Sequence, residues 1–143
     1  MPMIDLYVTE GLLAEPQVVA RRLAEIVMGV EQVPDIPMFR KNTAAFVHEL
    51  PSGAIRNVDG DHDHVRIQVL TNAGALDRAK QIVVVEQLTE AVAKAAGDPT
   101  LVDRTWVLLT EAAEGGWGLW GHAHTNDELV GAARAEIAKL GGA

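Results

Sequence analysis

The sequence predicts an α/β (α+β) fold: two β-α-β units forming a four-stranded sheet with two helices on one face, followed by a C-terminal helix. Three observations lead to this prediction. A strand pattern is followed by a helix pattern and a second strand, and the same order returns about 61 residues later. The last segment has a capping box followed by apolar residues at helical spacing. The 143 residues are expected to form a single domain, with units at about 1–60 and 61–123 and the terminal helix at 125–140.

The first unit begins with alternating apolar and polar residues, which predict a strand at about 3–9. Pro16 suits a first helical turn because its missing N–H would have no partner there, and apolar residues at helical spacing predict a helix over about 15–30. Residues 32–41 contain two prolines and are expected to lack regular structure. Ala44–Val47 is apolar without alternation, which is typical of a strand covered on both faces.

The second unit repeats this order. Alternation over residues 65–70 predicts a strand, and a helix follows that Gly97 closes. Thr105–Thr110 predicts the second strand of the unit. Each unit then carries a short arm, expected at Ile55–Val58 in the first and from Gly115–Gly118 in the second.

One helix crossing between two strands implies that the strands of each unit are parallel and that the crossover is right-handed. Two such units place both helices on one sheet face, and the apolar second strands indicate that other subunits cover the opposite face. Thr125 and Glu128 form a capping box ahead of the terminal helix, which we expect to pack at an edge or on a neighbouring subunit.

Composition limits the classes of partner. The chain has 20 acidic and 12 basic residues and a formal charge of −8, with no basic run that could follow a phosphate backbone, so no nucleic acid is expected. The apolar run Ile82–Val85 is too short to span a bilayer, and the N-terminus lacks a basic segment and an apolar core. We therefore expect no membrane association and a cytoplasmic location. The absence of Cys excludes disulfides and thiolate catalysis.

Five histidines raise the possibility of a metal site. The pairs His62 and His64, and His122 and His124, lack a recognised zinc or calcium-loop spacing. We expect solvated loops there, and neither a metal nor another cofactor.

The first two residues carry the main chemical prediction. If Met1 is removed, the chain begins with the secondary amine of Pro2, next to a strand. The pKa of an α-amino group is ordinarily about 7.7–8.0, and burial lowers it toward neutrality, so a free base would exist at working pH. Such an amine suits proton transfer next to a carbonyl. A retained Met1 would convert this amine into an amide without basicity.

Three features resemble the tautomerase superfamily, the relatives of 4-oxalocrotonate tautomerase. They are the start Met1–Gly11, the duplicated β-α-β unit, and Thr110–Gly118, where a Thr-Glu strand end leads to a glycine-flanked tryptophan. The resemblance implies that Pro2 is a general base and that two-unit chains form homotrimers. Because Asp63 or His64 stands where the second unit's proline would fall, it implies one Pro2 site per chain.

The sequence departs from the family pattern at the arginines that bind a substrate carboxylate. At the positions that match the family's arginines, this chain has Leu12, Ala44, Trp106, Asn72 and Ala75. An anionic substrate would therefore need other cations.

The candidate substitutes are Arg40, Arg56 and Arg66. Arg56 is the best placed, since it lies in the first unit's arm near the position that Trp117 takes in the second. A solvated loop arginine is an equal alternative for Arg56, and Arg66 could instead form an ion pair with Asp5 between subunits.

Three ring side chains are further candidates. Trp117 could form the apolar wall that keeps the amine neutral, or it could pack at a subunit interface. Tyr7 could polarise a carbonyl, although an outward or interface position is the favoured interpretation. His48, at a strand end, is a candidate proton donor near the site, and a hydrogen-bonded structural histidine is the alternative.

These observations predict a cofactor-independent tautomerase, an isomerase that acts on a small 2-oxo or enol substrate through Pro2. Two alternatives remain open at this point. The proline could support decarboxylation, hydration or dehalogenation of small three-carbon acids, or the chain could be a non-catalytic binding relative.

Overall fold

A four-stranded mixed sheet forms the centre of the molecule in a computed structural model that describes residues 1–142. Its strands lie in the order β2, β1, β3, β4. They comprise β1 (Met3–Thr9), β2 (Ala44–Leu50), β3 (Val65–Thr71) and β4 (Thr105–Glu111). Strands β1 and β2 are parallel, β3 and β4 are parallel, and the two central strands β1 and β3 are antiparallel.

The helices confirm the predicted duplication. Helix α1 (Pro16–Glu31) connects β1 to β2, and helix α3 (Arg78–Ala96) connects β3 to β4. Pro16 occupies the first turn of α1 as expected. Gly97 ends α3 with a φ of 65°, a left-handed conformation that glycine adopts without steric penalty.

The main core lies between the sheet and these two helices, so both helices are on one face, as predicted. Alternate residues of the central strands point into it and are almost completely buried, because the side chains of a strand alternate between its two faces. The strand residues are Ile4, Leu6, Val8, Val65, Ile67 and Val69, and the helix residues include Leu23, Val27, Val84, Leu88 and Val92.

Three connections differ from the sequence prediction. Ile55–Val58 does not form an arm but lies in a loop, where Arg56 donates to the carbonyls of Gly53 and Gly60. A short helix α2 (Pro37–Lys41) forms where the prolines led us to expect none, since Pro37 itself starts its first turn. A 3₁₀ helix at Pro99–Arg104 also precedes β4.

The second unit's arm is confirmed. Strands β5 (Trp117–Leu119) and β6 (His122–His124) form a two-stranded antiparallel hairpin. Helix α4 (Asn126–Gly141) follows it, and the predicted capping box of Thr125 and Glu128 is present. None of the helices within residues 1–142 has the length and apolar content that crossing a membrane requires.

A second, smaller apolar cluster fixes α4 against the start of the chain. It consists of Met1, Ile36, Met38, Trp117, Leu129 and Ala133. Two polar contacts support this packing: the Asn126 side-chain amide donates to the carbonyl of Ala73, and the Met38 backbone N–H donates to Glu136. Helix α4 therefore closes one end of the sheet.

The sheet face opposite α1 and α3 remains open in the single chain. Phe46, Trp106 and Leu108 are 39–48% exposed on the outer strands. The chain itself leaves the outer faces of β2 and β4 uncovered, and the expectation that other subunits cover them stays a prediction. An exposed apolar group of this kind is typical of a surface that contacts another protein.

Candidate active site at the start of the chain

The start of the chain is buried rather than solvated. Met1 is only 2% exposed, and Pro2 is also buried. The Pro2 carbonyl accepts a hydrogen bond from the backbone N–H of Ala44, so Pro2 is held against the first residue of β2. This contact fixes the backbone position of the residue predicted to act as the base.

A carboxylate meets the terminal amine inside the protein. The Met1 amine lies 3.3 Å from Glu31 Oε2, and both groups are almost inaccessible to solvent. Burial lowers the pKa of the Met1 amine below its ordinary value of 8.0, although Glu31 opposes this shift. Burial likewise raises the pKa of Glu31 above its ordinary 4.5, against the opposing effects of the amine and Lys80. Both shifts favour the uncharged forms.

A cavity of about 550 Å³ opens beside this pair. Met1 lines it and Pro2 does not, so removal of Met1 would extend the cavity toward the Pro2 nitrogen. One wall comes from the end of α1 and the next residues, a second from the loop after β3, and a third from α4. The lining residues include Glu31, Phe39, Asn72, Leu129, Val130, Ala133, Arg134 and Ile137.

Two polar atoms in this cavity have no partner within residues 1–142. Glu31 Oε1 and Asn72 Nδ2 are both buried without a hydrogen bond. Unpaired buried polar atoms are uncommon, because each loses its hydrogen bond to water. A ligand with a donor and an acceptor could satisfy both, so the cavity has the character of a binding site.

Among the other predicted site residues, Trp117 packs near the start of the chain. It is 7% exposed and packs in the same apolar cluster as Met1, but it does not line the cavity. Arg40 pairs with Asp35, with its Nη1 atom 2.7 Å from Oδ1. Arg56 is bound within its own loop. Neither arginine lines the cavity.

Arg66 and His48 lie together on the open sheet face, away from the cavity lining. His48 stacks on Tyr7 with ring centroids 4.4 Å apart, and its Nε2 atom is 2.6 Å from Asp5 Oδ1. The Arg66 guanidinium lies over the Tyr7 ring, 5.2 Å from the centroid, and donates to Gln68. Within one chain, Asp5 therefore pairs with His48 and not with Arg66.

Sequence reasoning missed two polar residues of the cavity, Glu31 and Arg134, and named Asn72 only as an uncharged residue at a position that matches a family arginine. Each had a local signal. Glu31 lies one turn after Val27 and so falls on the buried side of α1, Asn72 directly follows β3, and Arg134 lies one turn after Val130. These three side chains line one cavity because of where α4 packs, and no local sequence pattern specifies that packing.

The histidine-rich segments contain short-range polar contacts. His122 Nε2 is 2.8 Å from Glu128 Oε2, and the His122 and His124 rings meet edge to face. Across residues 1–142, no three histidine, aspartate or glutamate side chains come together in a way that could hold a metal ion.

Of the comparisons with known proteins, the one with solved structures identifies the architecture. No protein-family model matches the sequence, and no curated protein sequence matches it. Solved structures do match. N1, a member of the cis-3-chloroacrylic acid dehalogenase family, superposes with a TM-score of 0.70 and 18% identity over 99% of both chains.

Two further structures extend this similarity. Native fused 4-OT gives a TM-score of 0.71 at 18% identity, covering 90% of this chain and 98% of that one. Malonate semialdehyde decarboxylase gives 0.66 at 16% identity, covering 91% and 98%. Other fused 4-OT proteins among the matches are described as trimers, one asymmetric and one symmetric.

The matched structures define a class of fold, a pair of β-α-β units in one chain with a shared sheet. All three are tautomerase superfamily proteins, so this chain has the tautomerase superfamily fold in its fused, two-unit form. The predicted resemblance is thereby confirmed for the fold.

Proposed function

We propose that this chain is a tautomerase-like isomerase in which Pro2, exposed by removal of Met1, is the general base for a small 2-oxo or enol substrate. One observation carries the proposal: the chain starts inside the protein, beside a buried carboxylate and a cavity of about 550 Å³. The first residues of a chain are ordinarily poorly ordered unless contacts hold them, and here an apolar cluster and the contact with Glu31 do so.

The chemistry follows from the environment of the amine. Burial lowers the pKa of the Met1 amine in this position. Pro2 is buried as well, so an amine on Pro2 would lose part of its solvation, which lowers its pKa in the same direction. The free base would take a proton from the carbon next to the substrate carbonyl, and the C–H electron pair would form the enolate double bond. Return of that proton to the enolate oxygen gives the enol, and the reverse sequence gives the keto form.

The remaining predicted residues divide into three groups under this proposal. Trp117 supports the apolar wall behind the start of the chain through its packing with Met1. Arg66 and His48 lie on the open sheet face, so they would reach a substrate only across a subunit contact. Arg40 and Arg56 would have to leave their present partners to bind an anion.

We also propose that the chain forms a homotrimer through the open sheet face. The exposed Phe46, Trp106 and Leu108 supply the apolar surface, and similar fused proteins are trimers. The neighbouring subunit would then cover the Tyr7 and His48 pair.

One observation favours a second candidate, a binding protein without turnover. If Met1 is retained, its amine is buried 3.3 Å from Glu31 Oε2 and the Pro2 nitrogen is an amide. The cavity would then bind a ligand with no base available. Decarboxylation or hydration by Pro2 is the enzymatic alternative, and it is supported by the similarity to malonate semialdehyde decarboxylase.

The test begins with the intact mass, which shows whether Met1 is removed. Ultraviolet absorbance then follows the ketonisation of phenylenolpyruvate by the wild type and by Pro2→Ala. We expect kcat/KM to fall by at least about 100-fold, the lower range for loss of a general base.

Pro51→Ala, in an exposed turn, is the matched control and should retain activity. Equal rates for Pro2→Ala and the wild type would reject the general-base proposal. A retained Met1 would reject it as well and would favour the binding protein.

A further inference from the structure

We propose that Arg134 and Asn72 form the carboxylate subsite of this cavity, and that the ligand is a monocarboxylate with an apolar substituent. The reaction of this ligand rests on the proposed function, whereas its binding to the cavity does not. It answers a question that the sequence raised, because the positions of the usual arginines hold uncharged residues. A carboxylate at this site would need a cation from elsewhere in the chain.

Arg134 is the only basic side chain that lines the cavity within residues 1–142. It lies on α4 between the apolar residues Val130 and Ile137, which line the same wall. No ion pair or side-chain hydrogen bond of Arg134 is present in the described part of the chain, whereas Arg21, Arg40 and Arg104 are each paired with carboxylates. Its guanidinium is therefore available for a bidentate contact with a carboxylate.

Asn72 supplies a second donor from the opposite segment. Its Nδ2 atom is buried and has no partner within residues 1–142. The loop that carries it is held in place: Gly74 donates its backbone N–H to Glu111, and the Ala73 carbonyl accepts from Asn126 at the start of α4. Rotation of the Asn72 side chain toward the cavity would let this donor bind a carboxylate oxygen while the loop keeps its position.

The local charge favours an anion although the chain as a whole is acidic. Glu31 is the only carboxylate that lines the cavity among residues 1–142. The terminal amine lies 3.3 Å from it, and Lys80 Nζ lies 3.2 Å from its backbone carbonyl. Because burial favours the uncharged forms of Glu31 and of the terminal amine, the charge of Arg134 has no opposing carboxylate in the cavity lining within residues 1–142, in a protein with a formal charge of −8.

The rest of the lining defines the remainder of the ligand. Phe39, Leu129, Val130, Ala133 and Ile137 offer apolar surface and no second cation. A second carboxylate would therefore lose its hydration without gaining a partner. An aryl or branched alkyl group would instead bury apolar surface, and the cavity of about 550 Å³ accommodates a small acid of this kind.

The binding test uses phenylacetate, an inert aryl monocarboxylate, with succinate and phenylacetamide as comparisons. Calorimetric titration is carried out on the wild type, Arg134→Gln, Asn72→Ala and Lys139→Gln. Lys139 is exposed on the same helix, so its variant removes the same charge outside the cavity. We expect phenylacetate to bind more tightly than succinate or phenylacetamide. Its affinity should fall about 10- to 100-fold in Arg134→Gln, the usual range for a lost charged hydrogen bond, with a smaller loss in Asn72→Ala.

Two results would overturn the inference. Unchanged phenylacetate affinity in Arg134→Gln would show that Arg134 does not bind the carboxylate. Tighter binding of succinate than of phenylacetate would reject a monocarboxylate as the ligand. Far-ultraviolet circular dichroism checks that each variant is folded, and Arg134→Lys should recover part of the affinity because it restores the charge without the planar fork.

A kinetic test separates this inference from the proposed function. In Arg134→Gln, KM for phenylenolpyruvate should rise at least about tenfold with a much smaller change in kcat, since the contact holds the substrate before and during the reaction. Full activity of Pro2→Ala together with weakened phenylacetate binding in Arg134→Gln would reject the catalytic role of Pro2 and keep the subsite. An inactive Pro2→Ala together with unchanged KM in Arg134→Gln would keep the catalytic role of Pro2 and reject the subsite.

Discussion

Glu31→Gln should destabilise the Met1-bearing protein in a strongly pH-dependent way. Glu31 Oε2 holds the Met1 amine at 3.3 Å in a site closed to solvent. The amide of glutamine has no charge to hold the ammonium form there, so the buried amine must fold without its proton. Unfolding restores the proton, because the ordinary pKa of this amine is 8.0.

The magnitude follows from the pKa of the unfolded chain. At pH 6 the amine lies about two units below its ordinary pKa of 8.0, and removing its proton on folding costs the variant about 2.7 kcal/mol at about 1.36 kcal/mol per unit. Burial lowers the pKa of this amine in the wild type as well, so the wild type bears part of the same cost and about 2.7 kcal/mol is the upper limit of the variant's deficit. At pH 9 the unfolded amine is already neutral and this cost approaches zero.

The direction of the pH dependence can be checked for both groups. An amine with a lowered folded pKa binds fewer protons in the folded state, so stability in the variant rises with pH up to about 8.0. Glu31 has a raised folded pKa, so in the wild type it contributes most below its ordinary 4.5 and loses that contribution as pH rises through its folded pKa. Both effects make the variant's deficit largest in acid.

The assay is urea unfolding at pH 6 and pH 9 on material whose intact mass includes Met1, prepared with methionine removal inhibited. Glu25→Gln is the control on the same helix, because its ion pairs with Arg21 and Arg22 are exposed and contribute little. A deficit for Glu31→Gln that is equal at the two pH values, or absent at pH 6, would refute the reasoning.

Two further predictions concern the fold and the assembly. Gly97→Ala should lower the free energy of unfolding by about 1–2 kcal/mol because φ is 65° there, whereas Gly131→Ala, inside α4 with nothing within 4 Å of an added Cβ, should raise it by about 0.5–1 kcal/mol. Urea unfolding measures both free energies. Changes of the same sign in the two variants would contradict the left-handed backbone at Gly97 or the helical one at Gly131. Leu108→Glu on the open sheet face should convert the proposed trimer to monomers in sedimentation analysis, while Val18→Glu on the exposed side of α1 should not. A wild type that sediments as a monomer would reject this assembly.

The elements that the sequence predicted best are those whose patterns reflect the main core directly. The alternation at Ile4, Leu6 and Val8 places every second residue against the helices, so the two-residue period alone predicts which residues are buried. Gly97 marked the end of α3 because few residues other than glycine adopt its left-handed conformation.

The elements that were missed depend on contacts between distant segments. Ile55–Val58 has the composition of a strand, but the guanidinium of Arg56 ties the loop to itself. The candidate site shows the same limit: Pro2 was visible as the start of the chain, whereas the neighbourhood of Glu31, Asn72 and Arg134 exists only because α4 packs across the start of β1.

The antiparallel contact between β1 and β3 bears on how many amine sites such a chain can hold. It relates the two units by a local twofold rotation, so the residues that precede β1 and β3 lie at opposite ends of the sheet. At the second position, the nitrogen of Asp63 is part of a peptide bond to His62 and has no basicity, whatever residue stands there. Chain connectivity, more than the change of residue, therefore excludes a basic backbone amine at the start of β3, and only a break before residue 63 would create one.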